Sequence, residues 1–86
     1  MPYTVEFSPG VTREFRRLAR EIQLRLRPRI DALAGNPRPS GAKKLYGGIE
    51  LWRIRVGDYR IVCEVLDDRL LVLALRLGHR RDVHRP

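Results

Sequence analysis

The segment LWRIRVGDYRIVCEV, residues 51–65, constrains the fold more than any other part of the chain. Trp52, Ile54 and Val56 alternate with Arg53 and Arg55, and Tyr59, Ile61, Cys63 and Val65 alternate with Arg60, Val62 and Glu64. A period of two on both sides of Gly57-Asp58 predicts an antiparallel hairpin closed by a two-residue loop. That loop sets the register: Val56 opposite Tyr59, Ile54 opposite Ile61, Trp52 opposite Cys63, and Arg55 opposite Arg60. Arg53 falls one pair along on the arginine face. Like charges facing each other across a ladder cost roughly 0.2–1 kcal/mol, so folding by itself does not favour the arrangement. Either these long side chains splay into solvent, or the face is built to receive an anion.

The rest of the chain supplies what this hairpin needs in order to bury its apolar side. With 86 residues, the chain is expected to form a single domain over 1–86 around one core. YTVEF alternates Tyr3, Val5 and Phe7 against Thr4 and Glu6, as a first strand would. Ser8 can cap a helix with Pro9 at its first position, and Val11, Phe15, Leu18, Ala19 and Ile22 fall at helical spacing. EIQLRLRPRIDALAG predicts a second helix carrying Ile22, Leu26, Ile30 and Leu33, with Pro28 either in the first turns or at a kink. Residues 36–48, rich in Pro and Gly and carrying Lys43 and Lys44, are expected to form a linker. After the hairpin, Asp67-Asp68-Arg69 is expected to be a three-residue loop into a last strand, with Leu71, Leu73, Leu75 and Leu77 on the core face and Arg76 opposite Arg60. The expected fold class is α+β, in the order β-α-α-β-β-β: a four-stranded antiparallel sheet with a helical hairpin on one face.

Charge then narrows the function. Eighteen basic and ten acidic residues leave a net charge of +8, which points to a polyanionic partner. No apolar run reaches membrane-spanning length and the amino terminus lacks signal-peptide character, so a cytoplasmic protein with no membrane partner is expected. Cys63, the only cysteine, lies on the apolar side of its strand and reads as a core residue. No paired cysteines or clustered histidines offer metal-ligand spacing, and no metal or cofactor is expected. The ending GHRRDVHRP places Arg80 near His84 whether the strand continues or winds into a helical turn, although a frayed basic tail is the plain alternative. His79 faces away from the arginines in the strand reading and is taken as structural.

Together, AKKLYGG, WRIRVGDYRIVCEV and LRLGHRRDVH resemble the RelE/ParE toxin superfamily of type II toxin–antitoxin modules, over nearly the whole chain. The resemblance implies a toxin held by an acidic or extended antitoxin in a hetero-oligomer. In the RelE branch such a toxin cuts messenger RNA in the ribosomal decoding site; in the ParE branch it targets DNA gyrase. Carried over by position, the RelE-like active site falls on Arg53, Arg55, Arg60 and Arg80, with His84 closing it; the basic residues Lys43, Lys44, Arg76 and Arg81 are expected to hold RNA beside it. The chain departs from the pattern in two places. Well-known RelE-like members carry lysines where Arg53 and Arg55 stand, and tyrosine is usual where this chain has His84.

Those departures matter to the chemistry. Cleavage through the ribose 2′-hydroxyl needs a base, cations on the crowded phosphate, and an acid for the leaving oxygen. Arginine serves the second role, since its fork matches phosphate oxygens in pairs. It is a poor base, which leaves proton transfer to His84, unless that imidazole stacks on a nucleobase instead. With the clustered arginines, the resemblance implies a ribosome-dependent, metal-independent endoribonuclease as the expected activity, with a gyrase inhibitor or a non-catalytic RNA- or ribosome-binding module as alternatives.

Overall fold

The computed structural model describes residues 2–45 and 50–79. Its order is β1 (Thr4–Phe7), α1 (Pro9–Arg17), α2 (Arg20–Asp31), a 3₁₀ turn (Ala32–Ala34), β2 (Lys43–Leu45), β3 (Leu51–Val56), β4 (Tyr59–Leu66), a second 3₁₀ turn (Asp67–Arg69) and β5 (Leu71–His79). The α+β class and the helical pair stand. The expected four-stranded antiparallel sheet does not: the sheet has five strands in the order β1-β5-β4-β3-β2, and β1 runs parallel to β5. The additional strand, β2, lies inside the expected linker and pairs Lys43 with Arg53, Lys44 with Trp52 and Leu45 with Leu51. No helix of the described residues is long and apolar enough to cross a membrane.

Local chemistry accounts for the helices. Ser8 is extended and its Oγ accepts from the Val11 amide at 3.3 Å, while Pro9 occupies the first turn, where a missing N–H costs nothing. α1 stops at Arg17, earlier than expected, because Leu18 and Ala19 are both extended. Ala19 is thus an exposed junction rather than part of a core-facing helical stripe. Pro28 sits inside α2. Leu24, whose carbonyl loses its partner, is exposed along with Pro28, so water can reach the break.

One face of each helix closes over one face of the sheet. Val11 and Phe15 of α1 and Leu26 and Ile30 of α2 pack with Ile54, Val56, Ile61, Cys63, Val72 and Ala74. The central hairpin has the register expected from its loop, with Val56 opposite Tyr59, Ile54 opposite Ile61, Trp52 opposite Cys63 and Arg55 opposite Arg60. Positive φ at Gly57 alone in this turn, at 62°, fits a type II′ hairpin and explains glycine there.

The last strand departs from expectation twice. The connection from β4 includes Leu70, left-handed at φ 50°, so Leu66 pairs with Leu71 and the loop is one residue longer than expected. A one-residue shift turns a strand over. Val72 and Ala74 are therefore fully buried, whereas Leu71 and Leu73 lie opposite Leu66 and Glu64 on the outer face. A bulge then restores the original parity: Cys63 pairs with Ala74, but Val62 pairs with Arg76, leaving Leu75 without a place in the ladder. Leu77, opposite Ile61, is consequently the one leucine of the four that packs on the core. The Leu75 carbonyl receives the Ser8 hydroxyl at 3.4 Å, and the Ala74 carbonyl receives the Ser8 amide at 2.8 Å, so the start of α1 caps the bulge.

Cys63 lies in this core as expected, and burial pushes its thiol up to about 12. At pH 8 the native thiol should react with DTNB on the order of 10³-fold more slowly than an ordinary cysteine, and at the ordinary rate once unfolded in guanidinium. Fast labelling of folded protein would contradict the buried placement.

Candidate functional site

On the face opposite the helices, side chains that alternate away from the core collect into a cationic cleft. Lys43 of β2 is paired with Arg53 of β3, and Arg55 of β3 with Arg60 of β4. These four side chains and Gly41 line an opening of about 50 Å³, room enough for a group of phosphate size. Arg55 and Lys43 are exposed, whereas Arg53 and Arg60 are half-buried along the sheet. Gly41 adopts φ 91° in the turn that brings the chain into β2, closed by an Ala42 N–H donating to the Pro39 carbonyl at 3.0 Å. Only glycine takes that backbone without strain.

The arrangement suits an anion. Among the described residues, Lys43, Arg53, Arg55 and Arg76 form no ion pair, although the chain has acidic residues that do so elsewhere. Planar guanidinium groups fixed on neighbouring strands present parallel N–H donors, the geometry that matches two oxygens of one phosphate. Strands hold these groups more rigidly than loops would.

Not every expected residue joins them. Arg76 is opposite Val62 rather than Arg60, because the longer loop and the bulge together move it two places along the ladder; Gly78 faces Arg60 instead. Arg76 remains on the arginine side, in a row with Val62, Arg53 and Lys43. Lys44 does not share that side. It pairs across with Trp52 and its Nζ contacts Glu50 at 3.0 Å, an ion pair that helps hold the Glu50 carboxyl below its usual range. His79 lies opposite Tyr59, with the two rings edge to face at 5.4 Å, on the side away from the cleft. Arg80, Arg81 and His84 lie outside the described residues.

A polar cluster at the other end of β3 was not foreseen from the sequence. The Arg38 guanidinium donates to both Asp67 oxygens, at 3.2 and 2.9 Å, and lies over the Trp52 ring at 5.1 Å. Tyr3 donates its hydroxyl to the same carboxylate at 2.6 Å, and Trp52 Nε1 donates to Glu50 at 3.2 Å. Arg38 and Tyr3 together hold the Asp67 carboxyl below its usual range, Arg38 being the larger cause. The only sequence signal is the Pro37-Arg38-Pro39 triplet, which stiffens the backbone around one charge but does not name its partner.

Comparison with known proteins agrees with this architecture. Residues 5–84 match the ParE toxin of type II toxin–antitoxin system, parDE. The chain is 27% identical over 82 residues to the mRNA interferase toxin RelE of Escherichia coli, covering 93% of this chain and 85% of that protein. Among solved structures, it resembles the toxin–antitoxin complex RelBE2 from Mycobacterium tuberculosis, with a TM-score of 0.80, 27% identity and 93% of both chains covered. It also resembles the archaeal RelE–RelB complex from Pyrococcus horikoshii, with a TM-score of 0.77 and 26% identity, covering 93% of this chain and 97% of that one.

Proposed function

The chain belongs to the ParE toxin family of type II toxin–antitoxin systems, and from its cationic cleft and its likeness to RelE toxins we propose that it is a RelE-like endoribonuclease acting on messenger RNA in the ribosome. The cleft of Lys43, Arg53, Arg55 and Arg60 carries the proposal, because it concentrates cations where like charges face each other across a ladder. A gyrase inhibitor that works by binding has no need of so much charge at one point.

In this reading the scissile phosphate enters the cleft, where Arg55 and Arg60 neutralise the charge that builds as the 2′-oxygen attacks phosphorus. The 2′-hydroxyl loses its proton to a base as the new O–P bond forms, and the bond to the 5′-oxygen breaks as that oxygen gains a proton. The products are a 2′,3′-cyclic phosphate and a free 5′-hydroxyl. Arginine is too weak an acid to give up its own proton near neutrality, so His84 performs a proton transfer while Arg80 joins the phosphate cations. Lys43, Arg76 and Arg81 hold the flanking backbone. So small a cleft leaves substrate alignment to the ribosome. An acidic or extended antitoxin holds the toxin inactive in the cytoplasm, a partner supported by relatives crystallised as RelE–RelB complexes.

A second reading, inhibition of DNA gyrase, draws support from the ParE description of the matched family. Primer extension on messenger RNA from translating ribosomes separates the two. New ends carrying 2′,3′-cyclic phosphate, with little cutting of free RNA, are expected. Inhibited supercoiling with no new RNA ends would transfer the assignment to gyrase.

A further inference from the structure

Segment 35–43 connects the end of the helical layer to the sheet, and its last residues are one wall of the cationic cleft. Regular structure holds that wall weakly. β2 has three residues, lies at the sheet edge and, among the described residues, pairs with β3 alone. Among the described residues its approach carries one backbone reverse-turn bond, from Ala42 to Pro39 around the left-handed Gly41, and Ala42 packs against the edge of the core.

Arg38 supplies the anchor just before that turn. Pro37 and Pro39 limit the backbone on either side of it. Its guanidinium forms two parallel bonds to Asp67 in the β4–β5 connection, stacks on Trp52 in β3, and approaches Glu50 at 3.7 Å. One side chain thus ties segment 35–43 to two other places in the fold. None of Asp67, Trp52 and Glu50 lines the cleft, so Arg38 can influence the cleft only by where it holds the backbone.

We infer that Arg38 is a positioning residue: clamped to Asp67 and laid over Trp52, it fixes segment 37–43 so that Gly41 and Lys43 stand as a wall facing Arg53, Arg55 and Arg60. The inference rests on the reading of that cleft as the phosphate site. It requires that Lys43 depend on Arg38 while Arg60, held by the β3–β4 ladder, does not.

A double-mutant cycle tests this, with Trp52 fluorescence as an independent monitor because Trp52 is the only tryptophan. Arg38→Ala should change Trp52 emission and lower kcat on programmed ribosomes by at least the factor that Lys43→Ala costs, with KM little changed. Lys43→Ala should cost about 5-fold or more in the wild-type background and nothing further beside Arg38→Ala. Arg60→Ala should cost the same factor in both backgrounds. Lysine keeps the charge but loses the fork and the flat stacking surface, so Arg38→Lys should fall between wild type and Arg38→Ala. If Arg38→Ala fails to fold, Arg38→Lys carries the cycle. Equal Lys43→Ala losses with and without the Arg38 change would overturn the inference. If the wild type cuts no RNA on ribosomes, the proposed function fails, and the same cycle is read as affinity for a short RNA oligonucleotide at low salt. There, non-additivity between Arg38 and Lys43 supports the positioning role and additivity overturns it.

Discussion

Arg60→Ala is expected to lower the single-turnover rate of messenger RNA cleavage by about 10²–10³-fold, the usual cost of removing one preorganised donor from developing charge. Arg60 is half-buried on β4, directly opposite Arg55, and both line the cleft with Arg53 and Lys43. Truncation takes away a cation whose backbone is held on both sides, since β4 is paired by β3 and β5. Stability should change little. Relief of the like charge opposite works in the variant's favour by roughly 0.2–1 kcal/mol, and the core on the other face is untouched. Thermal unfolding of the same preparation is the necessary control. A variant that cuts at the wild-type rate, or one that loses its cooperative transition, would take Arg60 out of the phosphate site and make it a structural residue.

His84→Ala should lose on the order of 10²–10⁴-fold in rate, the contribution of a positioned general acid or base. Arginine is a poor proton donor and acceptor near neutrality, so the proposed reaction leaves this task to the imidazole. In the wild type, the single-turnover rate should then change through a pKa near about 6.5, moved upward where bound phosphate stabilises the imidazolium and downward where Arg80 dominates. His84→Tyr discriminates proton transfer from stacking. A tyrosine can stack on a nucleobase but ionises near about 10, so a variant that keeps most activity, beside a wild type with no pH dependence near neutrality, would assign stacking. Both variants require saturating toxin on one ribosome complex, so that weaker binding does not pass for slower chemistry. An alanine variant cutting at the wild-type rate would return His84 to the basic tail.

The β3–β4 hairpin and the start of α1 were legible because their determinants are neighbours in the chain. A two-residue loop and a period of two leave one register that buries Ile54, Val56, Ile61 and Cys63 together, and that register also brings Arg55 against Arg60. Ser8 and Pro9 mark a helix start by bonds that span three residues. Three of the four cationic side chains of the cleft, Arg53, Arg55 and Arg60, were therefore readable without a structure. β2 was not, since a three-residue edge strand has too few side chains to show alternation, and its backbone bonds to β3 define it.

Tertiary structure decided the rest, wherever the outcome depends on segments far apart in the chain. LLVLALRL offers leucines at alternate positions and a plain reading buries them all. The fold instead buries Val72 and Ala74 beneath the helical layer and beside β1, because a left-handed Leu70 shifts the strand by one residue. The bulge at Leu75 then shifts it again, with its carbonyl satisfied by Ser8 from 67 residues away. Those two shifts determine that Arg76 faces Val62. The parallel β1–β5 pairing and the Arg38–Asp67 clamp have the same origin. Local sequence restricts which backbone conformations and periodicities are favourable, but distant strands choose their register by the side chains and hydrogen bonds that all segments can satisfy at once.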